Sequence, residues 1–183
     1  PTLISFAIAP IKKQDVISPE FKEANHPVYL FGATDESADS LKATWEAFHN
    51  LCKEGKVKAS WAVERGIGEA VMKMAFGNGY GFEFDGAQTV ESLFSYNYAT
   101  FLLEATEDIE GEFIGTVTEN AVFSLNGESL DLTDVLKIYE DKLESVYSCN
   151  IADTLTKVEN FSFSVTERKA PAIKVARPKI LIP

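Results

Sequence analysis

A glycine-spaced turn runs directly into a helical pattern in the stretch AVERGIGEAVMKMAFGNGYGFEF. Glycine allows close backbone approach, and the first N–H groups of a helix, with the helix dipole, favour an anion. Gly66 and Gly68, with Arg65 as a cationic neighbour, therefore form a candidate phosphate site. The spacing matches neither GxxxxGK(S/T) nor GxGxxG, and Glu64 would repel phosphate. Two interpretations stay open: anion binding at the helix start, or glycines that let a helix pack closely on a sheet.

Other residues that could do chemistry are few. His26 and His49 are the only histidines, and the pattern places His49 on a helix at a boundary or solvated position. Cys52 and Cys149 form no CxxC or Cys/His cluster, which argues against a zinc site or a disulfide framework and favours a reducing, cytoplasmic setting. The acidic runs are typical of solvated faces. We therefore expect no catalytic residue and no metal ligand in this chain.

Bulk properties exclude several classes of protein. With 183 residues, 45% hydrophobic and 25% charged, the chain has the composition of one globular domain. Its formal net charge of -11 disfavours nucleic acid and anionic membranes as partners. The sequence also lacks an apolar run long enough for a membrane span and the pattern of a signal peptide.

The first half alternates strands and helices around the glycine turn. Apolar runs predict strands at residues 2–11, 28–31 and 57–62, joined in part by an irregular connection, DVISPEFKEANH. A helix is predicted over residues 37–54, with its apolar face formed by Leu41, Trp45, Phe48 and Cys52. The helix after the turn should end at Gly77 and Gly79.

The second half is predicted to be mainly strands. These cover residues 81–84, 98–104, 113–118 and 121–125, with Asn126-Gly127 as a hairpin turn. Asp131 should cap a helix that crosses the sheet. The apolar face of that helix is formed by Leu132, Val135, Leu136, Tyr139, Leu143, Val146 and Tyr147.

The ends of the chain suggest a piece of a longer protein. It starts at Pro1 without a methionine and stops in the apolar run KILIP. We expect a domain over residues 1–149, a linker over 150–176 and the start of another domain's first strand at 177–183.

Five segments of the chain stand in a recognisable order. They are PTLISFAIAPIKKQDVISPEFKEANHPVYLFG, KASWAVERGIGEAVMKMAFGNGYGFEF, VESLFSYNYATFLLEA, FIGTVTENAVFSLNGESLDL and KIYEDKLESVY. Together they resemble phosphoribosylformylglycinamidine synthase. The resemblance covers about residues 1–148 and is to the second C-terminal-type domain of the aminoimidazole ribonucleotide synthetase superfamily. MAFGNGYGFEF and LISFAIAPI look closest to the long, single-chain form of clostridia and Bacteroides-type bacteria. ARPKILIP is similar to the first strand of the glutaminase (glutamine amidotransferase) domain that follows in that form.

The resemblance implies an α+β fold with three layers, α/β/α. This fold is related to the ferredoxin-like fold and is like the C-terminal domain of aminoimidazole ribonucleotide synthetase. It implies a part in an ATP-dependent carbon–nitrogen ligase of purine biosynthesis, which amidates formylglycinamide ribonucleotide with ammonia from glutamine. ATP and Mg²⁺ would be bound by partner domains of the parent chain, with none expected on this piece. The implied partners are those ATP-binding domains, the glutaminase and a small-molecule substrate.

The family's phosphate-facing turn can be placed on this chain residue by residue. Its D-x-S-x-G-G motif falls on residues 61–66, WAVERG, so only the last glycine keeps its type. Its LFSE-type motif falls on LFSY at residues 93–96, which lacks the carboxylate. The candidate phosphate- or nucleotide-binding residues are Arg65, Gly66, Ile67, Gly68 and Ser95.

Three hypotheses follow. The chain supports the amidation site and interdomain packing without activity of its own; it is a stand-alone phosphate- or nucleotide-binding module that uses Gly66 to Gly68 with Arg65; or it is an interaction domain of unrelated ancestry.

Overall fold

The computed structural model describes residues 3–33, 35–148, 160, 162 and 164. The chain divides into one compact unit over residues 1–149 and a second over 150–183. In the second unit the three described residues, Asn160, Ser162 and Ser164, are exposed. The linker and the terminal strand predicted for residues 150–183 lie outside the described residues.

A mixed sheet of seven strands forms the centre of the first unit. The strands are β1 Pro27–Gly32, β2 Val57–Val63, β3 Gly81–Phe84, β4 Thr100–Ala105, β5 Glu112–Thr118, β6 Val122–Leu125 and β7 Glu128–Asp131. Their order across the sheet is β2-β4-β1-β5-β3-β6-β7. The described pairs are antiparallel except for β3 with β6, which run parallel. The two edges are therefore β2 and β7.

Three of the four α-helices in the described part of the chain begin at a residue whose side chain caps the first turn. They are α1 Ala38–Lys53, α2 Ile67–Phe76, α3 Val90–Leu93 and α4 Leu132–Asp141, with a 3-10 turn at Lys13–Asp15. The Ser37 hydroxyl accepts the N–H of Ser40 at 3.2 Å, and the Asp131 carboxylate accepts the N–H of Thr133 at 2.8 Å. None of the helices in the described part of the chain is long and apolar enough to cross a membrane.

Most of the core lies between α2 and one face of the sheet. The buried apolar side chains of α2 are Ile67, Ala70, Val71, Met74 and Ala75. They join a cluster with Val28, Leu102, Ile114 and Phe82 from four strands. Phe21, from the connection before β1, completes this cluster by stacking on Phe82 with ring centroids 5.7 Å apart.

Helix α1 contacts the opposite face of the sheet. Its Phe48 ring stacks on Phe101 of β4 with centroids 4.6 Å apart. Because neighbouring residues of a strand point to opposite faces, Phe101 lies on the other side of the sheet from Leu102 in the α2 core. The helix predicted at residues 37–54 is thus confirmed. Its predicted apolar face is only partly buried, since Trp45 is 53% exposed and the one buried residue of α1 is Thr44.

The strand predicted at residues 2–11 is wrong for the described residues 3–11. They form no helix or strand, and Leu3, Phe6 and Ile8 are 94%, 86% and 91% exposed. The reason is physical: an apolar run becomes a strand only where a neighbouring edge accepts its backbone hydrogen bonds. No described strand pairs with this segment.

The apolar face predicted as far as Tyr147 is confirmed as far as Tyr139, whose ring lies 5.4 Å from that of Phe76, and is wrong beyond it. Helix α4 ends at Asp141, and Leu143, Val146 and Tyr147 are 62%, 84% and 76% exposed. Only Leu132 is buried, because the helix contacts α2 and β7 near one edge and does not cross the middle of the sheet.

The remaining strand predictions are confirmed within a residue or two. Leu125 pairs with Glu128, so Asn126 and Gly127 form the tight turn between β6 and β7, with φ of 51° and 90°. The sequence prediction missed β7 and the short helix α3. The polar sequence of β7, ESLD, lacks strand residues and pairs only because the turn brings it back along β6.

Candidate functional site

Gly66 lies at the start of α2 and is pressed against the end of α3. It is the N-cap residue, with a φ of 108° that side-chain-bearing residues rarely adopt. A Cβ at this position would lie 2.4 Å from the carbonyl oxygen of Leu93 and 2.9 Å from Cα of Phe94. Glycine is therefore required here twice, for its backbone conformation and for the close contact.

Gly68 lies one position into the first turn and faces the same segment. A Cβ there would be 3.3 Å from the Phe94 ring. The close packing that the glycines allow is thus against the Leu93–Phe94 segment, whereas the sequence had suggested packing on the sheet. Ile67, between them, is 4% exposed and belongs to the core, so only its backbone faces the turn.

The two predicted site segments lie next to each other in the structure. Gly66 contacts Leu93 and Phe94, and Ser95 follows directly. Ser95 is exposed, and its hydroxyl donates to the carbonyl oxygen of Glu91 at 2.9 Å. Arg65 is exposed too, and the described residues include no carboxylate in an ion pair with it. The turn therefore carries one accessible guanidinium beside a helix N-terminus.

Negative charge already occupies the start of α2. Glu69 lies in its first turn, where a carboxylate interacts favourably with the helix dipole. Its Oε1 is 2.8 Å from Nζ of Lys73, and that Nζ lies 5.5 Å from the centroid of the Trp61 ring. A phosphate bound at this helix N-terminus would be repelled by the carboxylates of Glu69 and of the exposed Glu64.

An apolar groove of about 580 Å³ opens beside this turn. It lies between the start of α2, helix α3, the β6–β7 hairpin and the first turns of α4. Its apolar lining consists of Met72, Phe84, Val90, Leu93, Phe94, Phe123, Leu125, Leu130 and Val135. Glu69 and Glu128 are its charged residues. This volume is within the range of about 300–1,000 Å³ usual for binding pockets.

A buried ionisable pair lies elsewhere in the core and was missed in the sequence. Glu104 is fully buried, and its carboxylate accepts the backbone N–H groups of Lys22 at 2.8 Å and Glu23 at 3.1 Å. His26 Nδ1 lies 2.7 Å from Oε1 of the same carboxylate. These contacts tie the connection before β1 to β4. The signal was the lone acid in the apolar strand TFLLEA, since buried carboxylates are almost always paired.

In the described part of the chain, no group of three or more His, Cys, Asp or Glu side chains is placed to hold a metal ion. The exposed position expected for His49 is confirmed.

The seven-stranded mixed sheet and its helices define an α+β domain with a fold similar to that of PurL. Structures of PurL from Thermotoga maritima are among those that match. The complex with ATP superposes with a TM-score of 0.56 at 13% identity, covering 67% of this chain and 27% of that one. The complex with FGAR gives 0.55 at 10% identity, covering 85% and 33%. The PurLQS structure gives 0.56 at 12% identity, covering 86% and 32%.

These comparisons establish the fold. The chain spans about a third or less of the length of each PurL chain. Neither a protein-family model nor a curated protein sequence matches it.

Proposed function

We propose that this chain is the second C-terminal-type domain of a phosphoribosylformylglycinamidine synthase. Its role is to support the amidation site and the packing between domains, without activity of its own. One observation carries the proposal: a chain whose ordered segments resemble that family also has a PurL-like fold, over 86% of its length.

The parent reaction would be the ATP-dependent amidation of formylglycinamide ribonucleotide with ammonia derived from glutamine. In this proposal ATP and Mg²⁺ are bound by the partner domains. One observation supports this placement of the phosphates: Glu64 and Glu69 beside the glycine turn disfavour a phosphate there.

Several finer points belong to the same proposal. They are a three-layer, ferredoxin-related architecture, the long single-chain form of clostridia and Bacteroides-type bacteria, a following glutaminase domain and a cytoplasmic location. The rings of Tyr96 and Tyr98, which are 74% and 55% exposed and follow Phe94 in the chain, offer a surface for an ATP-binding domain. A structure of the chain with its flanking domains would test this arrangement; solvent-exposed Tyr96 and Tyr98 in that structure would contradict the contact.

An activity assay tests the supporting role. The purified chain is given ATP, Mg²⁺, formylglycinamide ribonucleotide and either glutamine or ammonia, and the amidine product is measured by mass spectrometry. We expect no product, because the proposal places nucleotide and metal on other domains. Formation of product by this chain alone would overturn the supporting role.

A second candidate is a stand-alone module that binds a phosphate or nucleotide at the start of α2. Arg65 favours it, because its exposed guanidinium has no carboxylate partner among the described residues and adjoins Gly66. Calorimetry with inorganic phosphate, ATP and the ribonucleotide discriminates between the candidates. No heat at millimolar ligand removes the module. Binding that Arg65→Ala abolishes and Lys58→Ala preserves would establish it, since Lys58 is an exposed cation on β2 outside the turn.

A further inference from the structure

The sequence contains two Asn-Gly pairs, Asn78-Gly79 after α2 and Asn126-Gly127 between β6 and β7. Such a pair can react with itself, because the backbone nitrogen of the glycine lies close in the chain to Cγ of the asparagine side chain. Glycine has no Cβ to hinder the approach. The reaction needs a glycine N–H that is not held by an acceptor and a side-chain amide that can turn. The surroundings of each pair therefore decide whether it reacts.

The first pair is held at both reacting groups. The N–H of Gly79 donates to the carbonyl oxygen of Ala75 at 3.0 Å. Nδ2 of Asn78 donates to the carbonyl oxygen of Phe21 at 2.7 Å. Attack by the Gly79 nitrogen would break both bonds, and each net hydrogen bond that is lost slows a reaction by up to about tenfold.

The second pair is not held in this way. Leu125 and Glu128 pair across the two-residue turn, and the N–H of Gly127 has no acceptor among the described residues. Asn126 is exposed, and its Nδ2 lies 3.4 Å from the carbonyl oxygen of Gln88, which is long for a hydrogen bond. Both reacting groups are thus available in the folded chain.

We propose that Asn126 is a site of spontaneous deamidation in the folded protein. The Gly127 nitrogen loses its proton to solvent base and forms a bond to Cγ of Asn126. The bond between Cγ and Nδ2 breaks, and the amide nitrogen leaves as ammonia, which gives a cyclic imide. Water then opens the imide at one of its two carbonyl groups and yields aspartate or isoaspartate. In total one water molecule is consumed and one ammonia is released.

Isoaspartate would change one wall of the apolar groove. In this product the main chain runs through Cγ of the side chain, so the turn gains one backbone carbon. The two-residue length of the turn sets the register of β7 on β6. Glu128, Ser129 and Leu130 of β7 line the groove, so a shifted β7 deforms it. This inference does not depend on the proposed role in purine biosynthesis.

Peptide mapping by mass spectrometry tests the proposal. The protein is incubated at mildly alkaline pH, folded or in urea, and deamidation of each asparagine is followed over time. In urea the two Asn-Gly pairs should react at similar rates, because neither is held. In the folded chain Asn78 should react at least about 10-fold more slowly than Asn126, relative to their rates in urea. Equal protection of the two pairs, or stronger protection of Asn126, overturns the proposal.

A second measurement separates the longer backbone from the added charge. The isoaspartyl form is purified by chromatography, and its hydrogen exchange is compared with that of the parent. Asn126→Asp is the matched control, because it carries the charge on an ordinary main chain and aspartate tolerates the φ of 51° at this position. Amides of β7 should lose protection in the isoaspartyl form and keep it in Asn126→Asp, whereas β5 is unchanged in both. Full protection of β7 in the isoaspartyl form overturns the effect on the groove.

Discussion

Replacing Glu104 by glutamine tests whether the buried carboxylate holds the connection before β1 against the sheet. The two carboxylate oxygens accept from three groups: Oε2 from the N–H of Lys22, and Oε1 from the N–H of Glu23 and from His26. A glutamine has one acceptor oxygen. Whichever way its amide is turned, its NH₂ group meets a backbone N–H, and one buried donor loses its partner.

The expected loss follows from these contacts. An unsatisfied buried donor costs about 1–3 kcal/mol. The bonds that remain also lose the assistance of a full charge, which roughly halves their strength. We therefore expect Glu104→Gln to lower the free energy of unfolding by about 3 kcal/mol, in line with the roughly 3–5 kcal/mol found when one partner of a buried pair is removed. In urea this corresponds to a midpoint lower by about 1–3 M.

Urea unfolding followed by circular dichroism measures the loss, and hydrogen exchange locates it. The amides of Lys22 and Glu23 should lose protection in the Glu104→Gln variant more than amides in β5. Glu23→Gln is the matched control, because Glu23 is 73% exposed and its Oε2 lies 3.7 Å from Nε2 of His26. It should change stability by about 0–1 kcal/mol. A Glu104→Gln variant within about 1 kcal/mol of the parent, or no more destabilised than the control, would refute the reasoning.

Three further changes test local geometry. Gly66→Ala should lower the free energy of unfolding in urea by more than about 3 kcal/mol, because the added Cβ would meet a backbone oxygen at 2.4 Å. Gly55→Ala is the control: its φ is +74° and nothing lies within 4 Å of the added Cβ, so backbone strain alone should cost only about 1–2 kcal/mol. Gly68→Ala, inside the helix and 3.3 Å from a movable ring, should be neutral or gain up to about 1 kcal/mol; a large loss would contradict this contact. Burial, and then the hydrogen bond to Asp108, raise the pKa of Tyr29 from 10.0 to about 12. The neutral phenol therefore contributes stability that is complete below pH 10 and is lost as the pH rises towards 12. The urea midpoint of the parent protein should fall relative to that of Tyr29→Phe between these pH values. If the two midpoints change with pH in parallel, the shift in pKa is refuted.

Local sequence signals account for most of the secondary structure. The glycine turn and the helix after it were predictable because Ile67, Val71 and Met74 repeat at helical spacing. The hairpin at Asn126-Gly127 was predictable because both residues tolerate positive φ. In each case the physical cause acts within a few residues, so neighbouring sequence is sufficient.

The predictions failed where a distant partner decides the outcome. The apolar residues 3–11 read as a strand, yet no described strand accepts their hydrogen bonds. Strand β7 shows the reverse case, since its polar residues become a strand through pairing with β6. For the candidate site, the residue types were visible, but the contact of Gly66 with Leu93 was not.

The sequence by itself determined the side-chain caps of α1 and α4, the turns and the apolar face of α2, because capping hydrogen bonds, backbone conformation and helical periodicity are local. It also indicated one acidic globular domain. Only the tertiary structure decided which apolar surfaces are covered. It stacked Phe21 from an irregular connection on Phe82, and it bound Glu104 to three groups some 80 residues earlier in the chain. It left large apolar side chains of residues 3–11 exposed, and it brought distant segments together around the groove beside the glycine turn. Burial depends on how segments distant in the sequence pack against one another, and no local sequence pattern specifies that packing.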